Sequence, residues 1–171
     1  MNGGETRLGP VLYLKCPIGT MGLMDDGQGL SRVFLCRDGL APAEEGETPL
    51  TRRAAAELGE YFAGERRSFT VPLSPHGTAF QLAVWEALRD IPYGQTRTYG
   101  EIAGAVGRPK AARAVGMANH DNPLLIFTPC HRVVGKNGAL TGFACGLEVK
   151  ARLLGLGRGC GGALWAASRS I

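Results

Sequence analysis

Thr98-Tyr99-Gly100-Glu101-Ile102-Ala103-Gly104-Ala105-Val106-Gly107-Arg108-Pro109-Lys110-Ala111-Ala112-Arg113-Ala114-Val115-Gly116-Met117-Ala118-Asn119 reads as two short helices joined at a glycine. Thr98-x-x-Glu101 is a capping box. The threonine hydroxyl takes an orphan backbone N–H at the helix start, and the glutamate reaches back to the threonine N–H. This helix runs through Val106, and Gly107 breaks it. Pro109, whose fixed φ suits a first helical turn, opens the second helix, Lys110–Asn119. Two helices joined this way make a helix-turn-helix. The second is lined with small residues (Ala111, Ala112, Ala114, Gly116, Ala118), so its surface is flat and Lys110 and Arg113 stand out from it. A flat helix with a long cation can lie against a duplex and push one side chain into it. The same alanines serve equally to pack against neighbouring helices.

Upstream, Thr78-x-x-Gln81 is another capping box, and the helix it starts carries Phe80, Val84, Ala87, Leu88 and Ile91 on one face. Pro92-Tyr93-Gly94 stops it. Ser74-Pro75-His76-Gly77 marks a boundary. Before that boundary, Val11–Cys16 and Ser31–Cys36 are rich in β-formers, with a Gly/Asp cluster from Gly19 to Gly29 that reads as turns. Ala54, Leu58, Tyr61 and Phe62 recur with helical spacing up to Gly64, and Phe69–Leu73 reads as a further strand.

Downstream, Asn122-Pro123 ends the second helix of the pair, and apolar Leu124–Thr128 follows. Val133–Thr141, with Lys136-Asn137-Gly138 at its centre, reads as a tight hairpin. Gly142–Gly146 is a small-residue loop. A last helix places Leu147, Ala151 and Leu154 on one face, and a Gly-rich, flexible tail is expected after Gly155. The fold class is therefore α+β. Residues 1–75 form a small N-terminal α+β domain. Residues 76–157 form a mostly helical domain with the helix-turn-helix, and residues 158–171 form the tail.

Composition narrows the function. The chain has 171 residues, enough for one domain or two small packed ones. It has no apolar run of membrane-spanning length and no basic-then-apolar leader at Met1–Glu5, so a cytoplasmic protein without membrane partners is expected. The five cysteines are widely spaced with no C-x-x-C pair, which indicates reduced thiols and neither a zinc ribbon nor a disulfide framework. The three histidines make no ligand pair at helical spacing, so no metal and no cofactor are expected. Residues 1–75 carry 8 basic and 10 acidic side chains, residues 76–171 carry 11 and 5. A basic second half suits a nucleic-acid surface.

Pro129-Cys130-His131-Arg132 concentrates the chemistry. A thiolate is the nucleophile, and a histidine, a cation or a helix N-terminus lowers a thiol's pKa from about 8.5. On a strand, neighbouring side chains point to opposite faces. The histidine therefore acts in a turn or through a bridging water.

Pro129–Val134 resembles the active-site signature of the O6-alkylguanine-DNA alkyltransferases, the methylated-DNA–protein-cysteine methyltransferases. Phe80–Gly94, Thr98–Glu101, Pro109–Gly116, Asn122-Pro123 and Leu140–Lys150 fall in that family's order and spacing. The likeness runs from about Thr78 to Leu154. It implies that Cys130 takes the alkyl group from O6 of a guanine flipped out of double-stranded DNA, once and irreversibly. It also implies roles. His131 deprotonates Cys130 through a water. Tyr99 presses on a phosphate and helps protonate the leaving guanine. Arg113 fills the gap left by the flipped base, with Lys110 beside it on the DNA. Asn122 holds the turn under the active-site segment. The backbones of Cys130 and Val133 read the guanine edge, and Phe143 and Ala144 wall the pocket. The helix-turn-helix docks in the minor groove, and the protein acts as a monomer. Without the resemblance, Arg113 reads as a phosphate contact, Tyr99 as core and Asn122 as a turn former.

The sequence departs from the family at two places. The acid that completes a Cys–water–His–Glu relay is matched by Gly157, which implies slower transfer. A Cys145-Gly146 pair stands where two glycines are usual. The alternatives are a non-catalytic alkyltransferase-like lesion binder and a helix-turn-helix regulator without lesion chemistry. The presence of Cys130 argues against the first and the Pro-Cys-His-Arg segment against the second.

Overall fold

In the computed structural model, which describes residues 9–36 and 44–158, the N-terminal half builds an antiparallel sheet. Its strands are β1 (Leu12–Cys16), β2 (Gly19–Asp25) and β3 (Leu30–Leu35), with β2 in the centre. The central strand occupies much of the Gly/Asp stretch expected to be turns. Gly22 explains the misreading. The Phe34 ring of β3 lies flat over it, and a β-carbon there would stand 2.3 Å from Phe34 Cζ. Only glycine permits that cross-strand approach, so a residue that resembles a turn former sits mid-strand.

Helix α1 (Pro49–Phe62) covers the sheet, burying Ala54, Leu58, Tyr61 and Phe62 as their spacing predicts. Gly64 follows it with φ +78°. Phe69–Leu73 does not form a strand; its pairing with the sheet is an isolated Leu30–Leu73 bridge. Its backbone N–H groups go elsewhere. The carboxylate of buried Glu57 accepts from Thr70 N (3.1 Å) and Val71 N (3.3 Å), doing for this segment what a strand neighbour would do.

In the second half, α2 (Ala79–Arg89) and α3 (Tyr99–Ala105) start at Thr78 and Thr98 with both capping boxes formed. Helix α4 (Ala112–His120) begins three residues after Pro109, without a side-chain cap. The Ala111 N–H instead closes a turn on Arg108 O, so Lys110 lies in the turn and not on the helix. Trp85 of α2 donates 2.8 Å to Ala118 O and so ties α2 to the end of α4.

Two further departures concern the C-terminal third. Val133–Val134 (β5) pairs in parallel with Arg97–Thr98 (β4), so the expected hairpin is absent. The Asn-Gly turn itself forms, with Asn137 and Gly138 both at positive φ. The last helix, α5 (Leu147–Gly157), buries Lys150, Leu153 and Leu156. Leu147 and Ala151 are exposed. A buried lysine sits where an apolar stripe was sought, which rotated the expected face. The helix also continues past Gly155; residues 159–171 of the expected tail lie outside the described region.

The halves share one apolar core, which includes Met21, Leu58 and Phe62 together with Val84, Leu124 and Leu153. Backbone bonds cross as well. Val33 N donates 2.7 Å to Pro123 O, and Leu125 N donates 3.2 Å to Val33 O, so the Pro123–Leu125 segment runs alongside β3.

Candidate active site

Cys130, His131 and Arg132 form a single 3-10 turn directly before β5. A turn, unlike a strand, need not send neighbouring side chains to opposite faces, and all three residues are buried. The turn is held by backbone bonds from Cys130 N to Thr128 O (2.8 Å) and from Arg132 N to Pro129 O (3.0 Å). The Cys130 carbonyl accepts from Val133 N and from Asn119 Nδ2 (3.3 Å), so Asn119 is a support the sequence reading missed. Asn122 braces the segment from below. Its Nδ2 donates 2.8 Å to Thr128 O and its Oδ1 accepts 3.0 Å from Leu124 N, and its side chain also hydrogen-bonds the Cys130 thiol.

The thiol faces a cavity of about 220 Å³. Phe143 and Ala144, two of the residues expected to wall the pocket, line it together with Cys130 and Asn122. Val133 does not: it is fully buried in the pairing with Arg97. The opposite wall is Val33-Phe34-Leu35 of β3. The N-terminal half thus shapes the site, although no chemistry was visible in it. No local pattern could have revealed this, because β3 reaches the pocket only through its pairing with Pro123–Leu125. Cys145 is a further part of the lining. Two larger clefts, of about 470 and 480 Å³, contain neither cysteine nor histidine.

Burial pushes the Cys130 thiol up to about 11, and nearby Cys145 adds to the rise, while the Asn122 hydrogen bond and the Lys150 charge oppose it. At rest Cys130 is therefore a thiol. The cation that bears on it is not its neighbour Arg132. The Arg132 guanidinium donates 2.8 Å to Ile91 O, contacts Tyr61 Oη at 3.5 Å, and stands 5.6 Å from the Tyr93 ring centroid, so it clamps α1 to the end of α2. Lys150 is the site cation. It is fully buried, its Nζ donates 2.9 Å to Thr141 O, and it stands about 6 Å from the Tyr99 and Phe143 rings. Burial lowers its pKa, while the Cys130 charge raises it. The available signal was its place on α5, at i−3 from Leu153.

His131 is 1% exposed, and burial together with the Arg132 and Lys150 charges lowers its pKa to about 3. It is held as neutral imidazole. It borders a second, smaller cavity of about 80 Å³, next to Gly157 and distinct from the thiol's pocket. Tyr99 donates to Thr141 O (3.0 Å) and Gly142 O (3.3 Å), which ties the start of the 141–146 loop to the start of α3. Arg113 and Lys110 are exposed. Among the described residues no cluster of metal-ligating side chains occurs.

Residues 79–158 match the family 6-O-methylguanine DNA methyltransferase, DNA binding domain. Residues 12–75 match the 6-O-methylguanine DNA methyltransferase, ribonuclease-like domain. The chain belongs to the methylated-DNA–protein-cysteine methyltransferase family. It is 50% identical over 152 residues to a methylated-DNA–protein-cysteine methyltransferase of Methanosarcina acetivorans, covering 84% of this chain and 95% of the relative. It is 49% identical over 150 residues to the constitutive one of Bacillus subtilis, covering 83% and 91%. The crystal structure of Mycobacterium tuberculosis OGT in complex with DNA superposes with a TM-score of 0.84 at 41% identity, covering 91% of this chain and 97% of that one. The family's DNA-binding region thus contains the helix-turn-helix and the Cys130 turn together, and no described helix is long and apolar enough to cross a membrane.

Proposed function

We propose that this protein repairs alkylated DNA by moving the alkyl group from O6 of guanine to Cys130. The observation that carries the reading is the Cys130 thiol facing a 220 Å³ pocket within the family's DNA-binding region. A new S–C bond forms as the C–O6 bond breaks. The electron pair stays on O6, and a proton returns guanine to its normal form. The thioether has no route back, so each molecule acts once. The base leaves the stack because the alkyl carbon is shielded within the duplex.

The site residues take the following roles. Arg113, exposed on α4, enters the minor groove and fills the gap left by the flipped base, as wedge residues do. Lys110, in the preceding turn, meets a phosphate. Tyr99 leaves its loop carbonyls to approach the phosphate and O6. His131 removes the Cys130 proton through a water, Asn122 positions the thiol, and Phe143 and Ala144 hold the base. Val133 contributes its backbone alone. The protein works as a monomer in the cytoplasm.

Incubation with an O6-methylguanine duplex followed by intact mass measurement tests this directly. One added methyl on the Cys130 peptide is expected. Tight binding without a mass gain would mean a lesion-binding protein instead, and no preference for the lesion would mean a helix-turn-helix regulator.

A further inference from the structure

The cavity beside His131 has a use that the alkyl transfer reading leaves open. His131 Nδ1 is a buried side-chain nitrogen without a hydrogen-bond partner among the described residues. If Nε2 serves as the base, Nδ1 carries the proton of the neutral ring and needs an acceptor. A buried polar group left unpaired costs about 1–3 kcal/mol. His131 also lines a cavity of about 80 Å³, room enough for more than one water, whose share of liquid volume is about 30 Å³. Its lining includes Arg132 and Arg158 and no Asp or Glu. Arg132 has N–H donors left over after Ile91 O and Tyr61 Oη. An unpaired donor in a small cavity lined by two arginines and by no acid favours an anion that accepts hydrogen bonds on a flat face.

We infer that this cavity binds a small monocarboxylate, of the formate or acetate class, as a hydrogen-bond acceptor for His131 Nδ1. The carboxylate acts as a positioning group and is not consumed. When the Cys130 proton passes to His131 Nε2, the resulting imidazolium keeps its second N–H on the carboxylate, which stays ionised throughout. Gly157 and Gly94, in backbone contact with each other, both line the space. The inference rests on the proposed alkyl transfer to Cys130. Transfer measured in chloride alone establishes that reaction separately.

The test uses the whole protein prebound to an O6-methylguanine duplex. Sodium formate replaces sodium chloride at constant ionic strength, because salt itself weakens DNA binding. The single-turnover rate is expected to rise to a plateau on the order of tenfold above that in chloride. Acetate should act similarly, and butyrate should not fit. Arg158→Ala should raise the half-saturating formate concentration. Leu154→Phe, which fills the cavity, should abolish the response. In the DNA-free protein, formate should shift the His131 imidazole nitrogen resonances saturably. Equal rates in formate and chloride, a rise that never saturates, or unmoved His131 resonances would each overturn the inference.

Discussion

Gly157 rests backbone to backbone on Gly94: a β-carbon at 157 would stand 3.1 Å from Gly94 Cα and 3.3 Å from Gly94 N. The end of α5 is therefore pressed onto the turn that stops α2. The contact also decides what restoring an acid there would do. Gly157→Glu must move the helix end by a few tenths of an ångström, at a cost of roughly 1–2 kcal/mol. The same change delivers a carboxylate beside His131. The expected outcome is a lower melting temperature together with a faster single-turnover transfer. A rate that does not increase would sink the idea that an acid partner for His131 limits this protein.

Lys150→Met keeps the length of the buried side chain and removes its charge. Thr141 O loses one of its two donors and keeps the Tyr99 hydroxyl, so stability should fall by about 1 kcal/mol. The charge that now lowers the Cys130 pKa disappears as well. The pH midpoint for Cys130 alkylation by iodoacetamide should move upward. An unchanged midpoint would remove Lys150 from the site's electrostatics.

His131 titrates near 6.5 in the unfolded chain and only at about 3 when folded. Below pH 6.5 the unfolded state binds the proton first, so the contribution of neutral His131 is complete above that pH and falls away toward pH 3. The slope for one group reaches at most about 1.4 kcal/mol per pH unit. His131→Gln should flatten the urea-unfolding stability over this window relative to the parent protein. Parallel profiles would contradict the buried neutral imidazole.

Arg113→Ala should slow methyl transfer from duplex DNA by a large factor while leaving transfer from free O6-methylguanine base nearly unchanged, because Arg113 is exposed and absent from the thiol's cavity. Lys110→Ala should instead weaken duplex binding evenly across sequences and reduce the salt dependence by about one phosphate contact. Equal loss on duplex and free base would place Arg113 in folding and not in DNA recognition.

Glu57 is buried under Phe69–Leu73. Burial pushes its carboxyl up, but hydrogen bonds from Thr70 and Val71 and the Arg66 charge outweigh that and lower its pKa. Glu57→Gln keeps the shape and loses the charge-assisted acceptors, so it should cost about 1.5–3 kcal/mol. Amide exchange at Thr70 and Val71 should accelerate with it, whereas an unchanged exchange rate would contradict the proposed anchoring.

What could be read along the chain was whatever is bonded within a few residues. Thr78 with Gln81 and Thr98 with Glu101 cap their own helices at a separation of three, so the helix starts were legible. Pro129–Arg132 is likewise a self-contained turn that brings a thiol and an imidazole into one buried segment. Asn122 closes onto Leu124 and Thr128, six residues away at most, so its reading as a turn former was local too. The signature residues around Cys130 sit on these local structures.

The rest depended on which distant surfaces meet. Gly22 reads as a turn residue until Phe34 is placed over it. Lys150 reads as solvent-facing until Thr141, Tyr99 and Phe143 enclose it, and this misplaced the buried face of α5. Val33-Phe34-Leu35 is an ordinary strand until its pairing with Pro123–Leu125 makes it a pocket wall. The sequence by itself determined the helix-turn-helix, because short-range hydrogen bonding suffices for it, and it singled out Cys130 and Gly157 through the resemblance to the family. Only the tertiary structure decided that Lys150, and not Arg132, is the cation beside Cys130, and that His131 faces a cavity of its own. Burial and through-space charge depend on the packing of segments far apart in the chain.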